Sequence, residues 1–220
     1  MNNNLYFSLL AAVTAAMATS CSNDTSTHQS LSSPDGQIQL TFDLTTNGRP
    51  YYSMVFQGDT IIRPSMLGFE LKDQKPLTDG FKIQSVTTDA VDETWVPVWG
   101  ENDSIENRYN TMTIALKQDD RRLDIEFRVF DNGMGLRYIF PEQAQKTFEI
   151  TGEFTEMAMG GDYTAWWIPG DYDTQEYEYT KSKLSEIRSL STKDQMGNIS
   201  QSVFSPTGVQ TSLMLKTPGG

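Results

Sequence analysis

Histidine and cysteine are almost missing from this 220-residue chain. There is one of each, His28 and Cys21, and both precede the patterned body that begins near Leu31. That body therefore holds no Ser-His-Asp triad, no cysteine nucleophile, no disulfide and no ordinary zinc or haem site. Catalysis within it would fall to carboxylates, tyrosines, lysines or a hard metal ion. Basic residues are also scarce: 17 Lys and Arg stand against 29 Asp and Glu, a net charge of −12. A field of that sign repels nucleic acid and anionic membrane and suits neutral, polyhydroxylated ligands or cations. Solubility is the simpler explanation of the charge taken by itself. Helical periodicity is poor almost everywhere, and no internal repeat is visible.

The leader is the exception to the polar composition. Residues 1–20 read MNNNLYFSLLAAVTAAMATS, apolar from Leu5 to Met17 and too short to span a bilayer comfortably. Ala18, Thr19 and Ser20 follow, and then Cys21. The pattern reads as a secretory signal peptide over 1–20 with a lipoprotein cleavage site, Cys21 becoming the lipidated first residue. The segment before the apolar run has no Lys or Arg, and Ala18 stands where a lipobox more usually has Leu. An ordinary signal peptide cut near the same place is the competing reading. A diacylated cysteine with an amine-linked chain anchors firmly, and polar residues 21–30 read as a flexible tether. The expected location is the periplasm or outer membrane.

From residue 31 to 220 the chain reads as antiparallel β. Residues 37–44 alternate polar and apolar, Asn47-Gly48-Arg49-Pro50 supplies a turn, and 51–56 return. Short strands are expected at 60–62, 66–71 and 81–86. Thr94-Trp95-Val96-Pro97-Val98-Trp99-Gly100 puts two tryptophans four apart around a proline, the mark of an edge or irregular segment. Core packing is the favoured fate of each of these rings. Further strands fall at 106–116, 123–130, 136–140, 148–151, 153–154 and 209–215. Glu126, Arg128 and Arg137 form an expected surface ion-pair ladder of little energetic worth. Residues 179–190 read as helix or loop. Many short strands with turns at about ten-residue spacing predict a sandwich. The final Lys216-Thr217-Pro218-Gly219-Gly220 looks like a hairpin turn lacking its return strand.

Residues 160–179 concentrate the chemistry. They hold two of the four tryptophans, Trp166 and Trp167, together with five carboxylates and no basic residue. Aromatic faces stack on sugars, and carboxylates bind hydroxyls and calcium. Adjacent strand residues face opposite ways, so one tryptophan is expected in the core and one toward a partner domain or cleft. Asp171, Asp173, Glu176 and Glu178 all compete as cation ligands. In an extended segment Asp171, Asp173 and Gln175 would share one face, and Tyr172, Thr174 and Glu176 the other. Pattern alone does not choose among them, and a solvated acidic loop is the plain alternative.

Four blocks in series carry a resemblance. They are Leu31-Ser32-Ser33-Pro34-Asp35-Gly36; Glu93-Thr94-Trp95-Val96-Pro97-Val98-Trp99-Gly100-Glu101; Phe127-Arg128-Val129-Phe130-Asp131-Asn132-Gly133-Met134-Gly135-Leu136-Arg137-Tyr138; and Trp167-Ile168-Pro169-Gly170-Asp171-Tyr172-Asp173-Thr174-Gln175-Glu176-Tyr177. In this order they resemble the N-terminal domain of glycoside hydrolase family 97, calcium-dependent α-glucosidases and α-galactosidases of polysaccharide-utilisation systems. The resemblance implies an all-β fold, an antiparallel β-super-sandwich, followed by a catalytic (β/α)8 barrel that carries the catalytic carboxylates and most calcium ligands. It implies that this domain packs at the barrel mouth and lends the calcium one glutamate, matched here by Glu176. The fourth block is closer to the inverting α-glucosidase branch. The implied partners are an α-linked oligosaccharide, the barrel, and a membrane reached through a lipid on Cys21. A stand-alone carbohydrate-binding or surface lipoprotein is the competing function.

Overall fold

The computed structural model describes residues 27–191 and 204–217. The expected signal peptide, Cys21 and the last residues of the expected terminal turn lie outside the described residues. Two four-stranded antiparallel sheets make the main body. The first has the order β1-β2-β3-β4: β1 (Gln29–Ser32), β2 (Ile38–Leu44), β3 (Pro50–Phe56) and β4 (Asp59–Met66). The second is a meander of β6 (Lys82–Trp95), β7 (Ile105–Gln118), β8 (Arg121–Phe130) and β9 (Gly133–Ile139). The all-β, antiparallel sandwich expected from strand spacing is the observed architecture.

The alternation of β8 explains how the sheets meet. Leu123, Ile125, Phe127 and Val129 point one way and are buried, while the residues between them are only partly covered. Their ladder partners on β7 share that face: Leu116 opposite Leu123, Ile114 opposite Ile125, Met112 opposite Phe127. The first sheet answers with Leu40, Phe42 and Tyr52, all fully buried. The Phe127 ring stands 6.2 Å from Phe42 and 5.7 Å from Tyr52, both tilted contacts that join the sheets. Tilted rings at these separations combine large apolar burial with a favourable quadrupole arrangement.

On the outer face of the second sheet, Glu126 receives Arg128 Nε and Arg137 Nη2, each at 2.9 Å. The expected ladder is thus present. Burial pushes the Glu126 carboxyl up, and the hydrogen bonds and charges of Arg137 and Arg128 outweigh it and hold it below the usual carboxylate range.

Several local expectations are revised. β1 reaches back to Gln29, so Gln29 and Ser30 are paired with Phe42 and Thr41 and do not belong to the tether. The run 66–71 breaks at Leu67-Gly68, because β5 (Phe69–Leu71) leaves the first sheet to pair with β10 (Ile150–Glu153). The strand expected at 81–86 is the start of a 14-residue β6 that runs on to Trp95, and residues 96–100 are irregular, one of the two forms expected around Pro97. Trp95 and Trp99 are not core residues: they are 47% and 88% exposed. The β6–β7 pair continues past Asn110, the last β7 residue paired with β8, so the tryptophans stand beyond the sandwich interior.

Residues 150–160 then run beside β4 and β5 and carry the chain to the candidate site. Phe154 N donates to Gly68 O, Glu156 N to Met66 O, Arg63 N to Ala158 O and Gly160 N to Ile61 O, at 2.7–3.0 Å. The Tyr52 hydroxyl, reaching out of the sandwich core, donates to Glu156 O at 2.9 Å. At Gly160 a Cβ would lie 1.9 Å from Thr60 O, so glycine is what allows this approach.

Phe127→Ala removes the ring that touches both sheets. Its expected cost is about 3–5 kcal/mol, read from urea unfolding of the protein. A loss below about 1 kcal/mol would mean that the sheets do not depend on this ring.

Candidate functional site

Beyond Gly160 the chain builds two smaller sheets. β11 (Thr164–Trp167) lies between β13 (Thr180–Lys183) and β15 (Met214–Lys216), and β12 (Pro169–Asp171) pairs with β14 (Phe204–Val209). A short 3-10 turn (Leu184–Glu186) and α1 (Ile187–Leu190) follow β13. The first part of the 179–190 stretch, expected as helix or loop, is instead a strand, because Thr180–Lys183 find a pairing partner in β11. Such pairing overrides weak local β preference. The single strand expected at 209–215 is instead the end of β14, an irregular link and β15.

One of the two adjacent tryptophans is a core residue, as expected. Trp167 is fully buried and its Nε1 donates to Ser182 Oγ at 3.1 Å. Trp166 is half-buried, with Lys181 Nζ 5.5 Å from its ring centroid. Gly170 lets β12 and β14 approach: a Cβ there would meet the Gly208 carbonyl at 3.0 Å and Ser205 Cβ at 3.1 Å.

After Asp171 the chain turns away from the extended path. Asp171 is only 8% exposed and spends its two carboxylate oxygens internally. Oδ1 accepts the Asp173 backbone N–H at 2.9 Å, and Oδ2 accepts the Tyr177 hydroxyl at 2.7 Å. The Asp173 N–H, then the Tyr177 hydroxyl, hold the Asp171 carboxyl below its ordinary range against the opposing effect of burial. Burial, the Asp171 hydrogen bond and the Asp171 charge together push the Tyr177 hydroxyl up to about 12. Gln210 clamps the same loop from the other side. Its Nε2 donates to Asp171 O at 2.6 Å and Thr174 O at 2.9 Å.

Glu176 sits on this clamped loop. Its backbone N–H donates to Thr174 Oγ1 at 3.1 Å, and its side chain is exposed beside the buried Tyr177. The two-face arrangement of an extended segment is not observed. Asp171 and Tyr177 face inward, and Tyr172, Asp173, Glu176 and Glu178 are exposed. Asp162, the remaining carboxylate of the stretch, accepts the Ser185 N–H at 2.8 Å and the Ser185 hydroxyl at 2.9 Å. Among the described residues no group of three or more His, Cys, Asp or Glu is close enough to hold a metal ion. Calcium takes six to eight oxygens. The described residues thus do not assemble a complete calcium cage by themselves.

Sequence reasoning missed Tyr177 and Gln210 as the loop's anchors. In an extended strand a spacing of six would put Asp171 and Tyr177 on one face but roughly 20 Å apart, so their contact needs the folded loop, and Gln210 arrives from beyond β14. No local signal marks either one.

Two packed antiparallel sheets, extended by small sheets that display an acidic loop, define a β-super-sandwich domain of a carbohydrate-active family. Residues 31–220 match the family described as Glycosyl-hydrolase 97 N-terminal, and the chain belongs to it. Over 169 residues it is 28% identical to a retaining alpha-galactosidase of Bacteroides thetaiotaomicron, covering 71% of this chain and 24% of that protein. A glycoside hydrolase family 97 enzyme from Pseudoalteromonas sp. strain K8, solved in complex with panose, is 34% identical with a TM-score of 0.66. That match covers 70% of this chain and 24% of the other. An enzyme of the same description has been solved with acarbose. A beta-arabinopyranosidase, 23% identical with a TM-score of 0.63 over 69% of this chain and 26% of its own, shares the fold. The chain thus spans about a quarter of the length of the curated Bacteroides thetaiotaomicron relative.

Tyr177→Phe deletes the hydroxyl that ties the loop to Asp171. The expected result is faster limited proteolysis within residues 172–178, with cleavage elsewhere unchanged. An unaltered cleavage rate there would show that Gln210 and the backbone hold the loop without it.

Proposed function

We propose that this chain is the non-catalytic N-terminal domain of an exported, calcium-dependent α-glucoside hydrolase. In that role it lends Glu176 to a calcium ion held mainly by a following (β/α)8 barrel. The observation that carries the reading is the placement of Glu176: an outward carboxylate on a loop fixed from inside by Asp171, Tyr177 and Gln210. Such anchoring holds a ligand in position without using the ligand's own oxygens, as supporting groups around metal sites do. Asp171 is a poorer candidate, since both its oxygens are engaged. When bound, calcium would supply positive charge for polarising or orienting the reacting groups. This chain's own part is to present Glu176 and to keep its loop in place. The catalytic carboxylates belong to the barrel, standing roughly 6.5–9.5 Å apart for an inverting outcome.

The substrate class in this reading is an α-linked oligosaccharide, supported by the relative solved with panose. The acidic surface favours neutral sugars and cations over nucleic acid. Export by the 1–20 signal peptide and anchoring through a lipid on Cys21 place the protein in the periplasm or outer membrane.

The 220-residue chain is expected to give no turnover of p-nitrophenyl α-glucoside. The full-length parent is expected to give turnover that a calcium chelator abolishes. Chelator-sensitive hydrolysis by this chain alone would sink the proposal. Glu176→Gln in the parent is expected to weaken calcium binding by roughly tenfold or more, measured by titration calorimetry; unchanged affinity removes Glu176 from the ligand set. Cys21→Ser is expected to move the protein from the membrane fraction to the soluble fraction of cells, and retention at the membrane would remove the lipid anchor.

A further inference from the structure

The β6–β7 hairpin extends past the sandwich. β8 pairs with β7 only as far as Asn110, opposite Val129. Beyond that point five ladder pairs continue with no third strand among the described residues, from Val91 opposite Tyr109 to Trp95 opposite Ile105. At the end of this ribbon Trp95, Val96, Val98 and Trp99 are 47%, 76%, 99% and 88% exposed. Apolar residues scattered singly on a surface need no explanation, whereas four within five positions form a patch of the kind that marks an interaction site. A two-stranded ribbon by itself is marginal in water, so this one gains by being covered.

The base of the ribbon is rigid. Tyr109 is buried, with its ring 4.9 Å from Phe130 and the Arg128 guanidinium 4.9 Å from its centroid. Arg108 Nη2 donates to Asp131 Oδ2 at 2.6 Å, and Asp131 Oδ1 accepts the Asp35 N–H at 2.8 Å. Asn107 Nδ2 donates to Glu93 Oε1 at 2.6 Å across the two strands. An arm fixed at its root and apolar at its end is preorganised for docking, which reduces the ordering cost of association.

We propose that this arm docks its Trp95–Trp99 tip into an apolar, basic-rimmed recess on the remainder of the same polypeptide. Two observations choose that occupant. The chain covers 24% of a curated relative, so most of such a protein lies outside residues 1–220 and has surface to offer. The ribbon is acidic: Asp92, Glu93, Glu101, Asp103 and Glu106 flank the tip, and the charge of Arg108 is taken up by Asp131. A complementary surface is apolar at its centre and carries Lys or Arg around it. A sugar chain fits less well, because Val96 and Val98 offer no flat ring face for stacking. The inference rests on the reading of this chain as one domain of a longer hydrolase.

The test is hydrogen–deuterium exchange of residues 91–109 in the full-length parent and in the 220-residue chain. Exchange is expected to be slower by about tenfold or more in the parent. Val98→Asp combined with Trp99→Ser is expected to remove that protection and to speed exchange in a peptide outside residues 1–220. The same double substitution in the 220-residue chain is expected to leave circular dichroism unchanged, separating lost docking from lost folding. Equal exchange in the two proteins overturns the proposal. So does protection that appears only where light scattering detects dimers, or only on adding a malto-oligosaccharide. A parent that hydrolyses its substrate and needs calcium, yet leaves the arm unprotected, overturns the arm alone. A coding sequence that does not continue into a hydrolase removes both readings together.

Discussion

The packing of Phe127 against Phe42 and Tyr52 is the contact on which the rest of the molecule depends. It joins two sheets whose strand ladders are separate. Each sheet has one apolar face, and neither face can be left in water: fully burying one such side chain is worth roughly 1.5–3 kcal/mol. The alternation of β8 sends Leu123, Ile125, Phe127 and Val129 inward, and that same alternation sends Glu126 and Arg128 outward to their ion pairs. Core and surface charge are thus consequences of one period-2 pattern.

The core also reaches the candidate site. Tyr52 is buried between the sheets, yet its hydroxyl donates to the Glu156 carbonyl on the segment that carries the chain from β10 toward β11. That segment is stitched along β4 and β5 by backbone hydrogen bonds and passes Thr60 at a distance only glycine allows, at Gly160. The loop that displays Glu176 is then held by interior polar groups. The Asp171–Tyr177 bond lies under it and Gln210 crosses to two of its carbonyls. Buried polar groups of this kind are costly when unpaired and rigidifying when satisfied. Here they fix a loop on which Glu176 is exposed.

Two exposed features leave the sandwich in different elements, the Glu176 loop after β12 and the β6–β7 arm. They have opposite surface chemistry at their ends, carboxylate on one and apolar on the other. Both are rooted in buried aromatic residues, Tyr177 and Tyr109, each with a polar or charged neighbour against it. The scaffold is rigid where these features begin and exposed where they end, the arrangement expected of surfaces that meet another body.

The sequence by itself determined the sheet content, most strand cores and the family. Alternation in residues 37–44 and 123–130, the turn residues between strands, and four linear blocks are all local and readable in order. It also excluded histidine and cysteine chemistry from the body. Tertiary structure decided what depends on partners distant in the chain. Trp95 and Trp99 read as core because large apolar rings are usually buried, and they are exposed because β8 ends before the β6–β7 ribbon does. Thr180–Lys183 is a strand because β11 lies beside it. Among the acids of residues 160–179, linear spacing could not separate Asp171 from Glu176. Only the folded loop, with Tyr177 and Gln210 drawn in from six and thirty-nine positions away, turns one carboxylate inward and leaves the other outside.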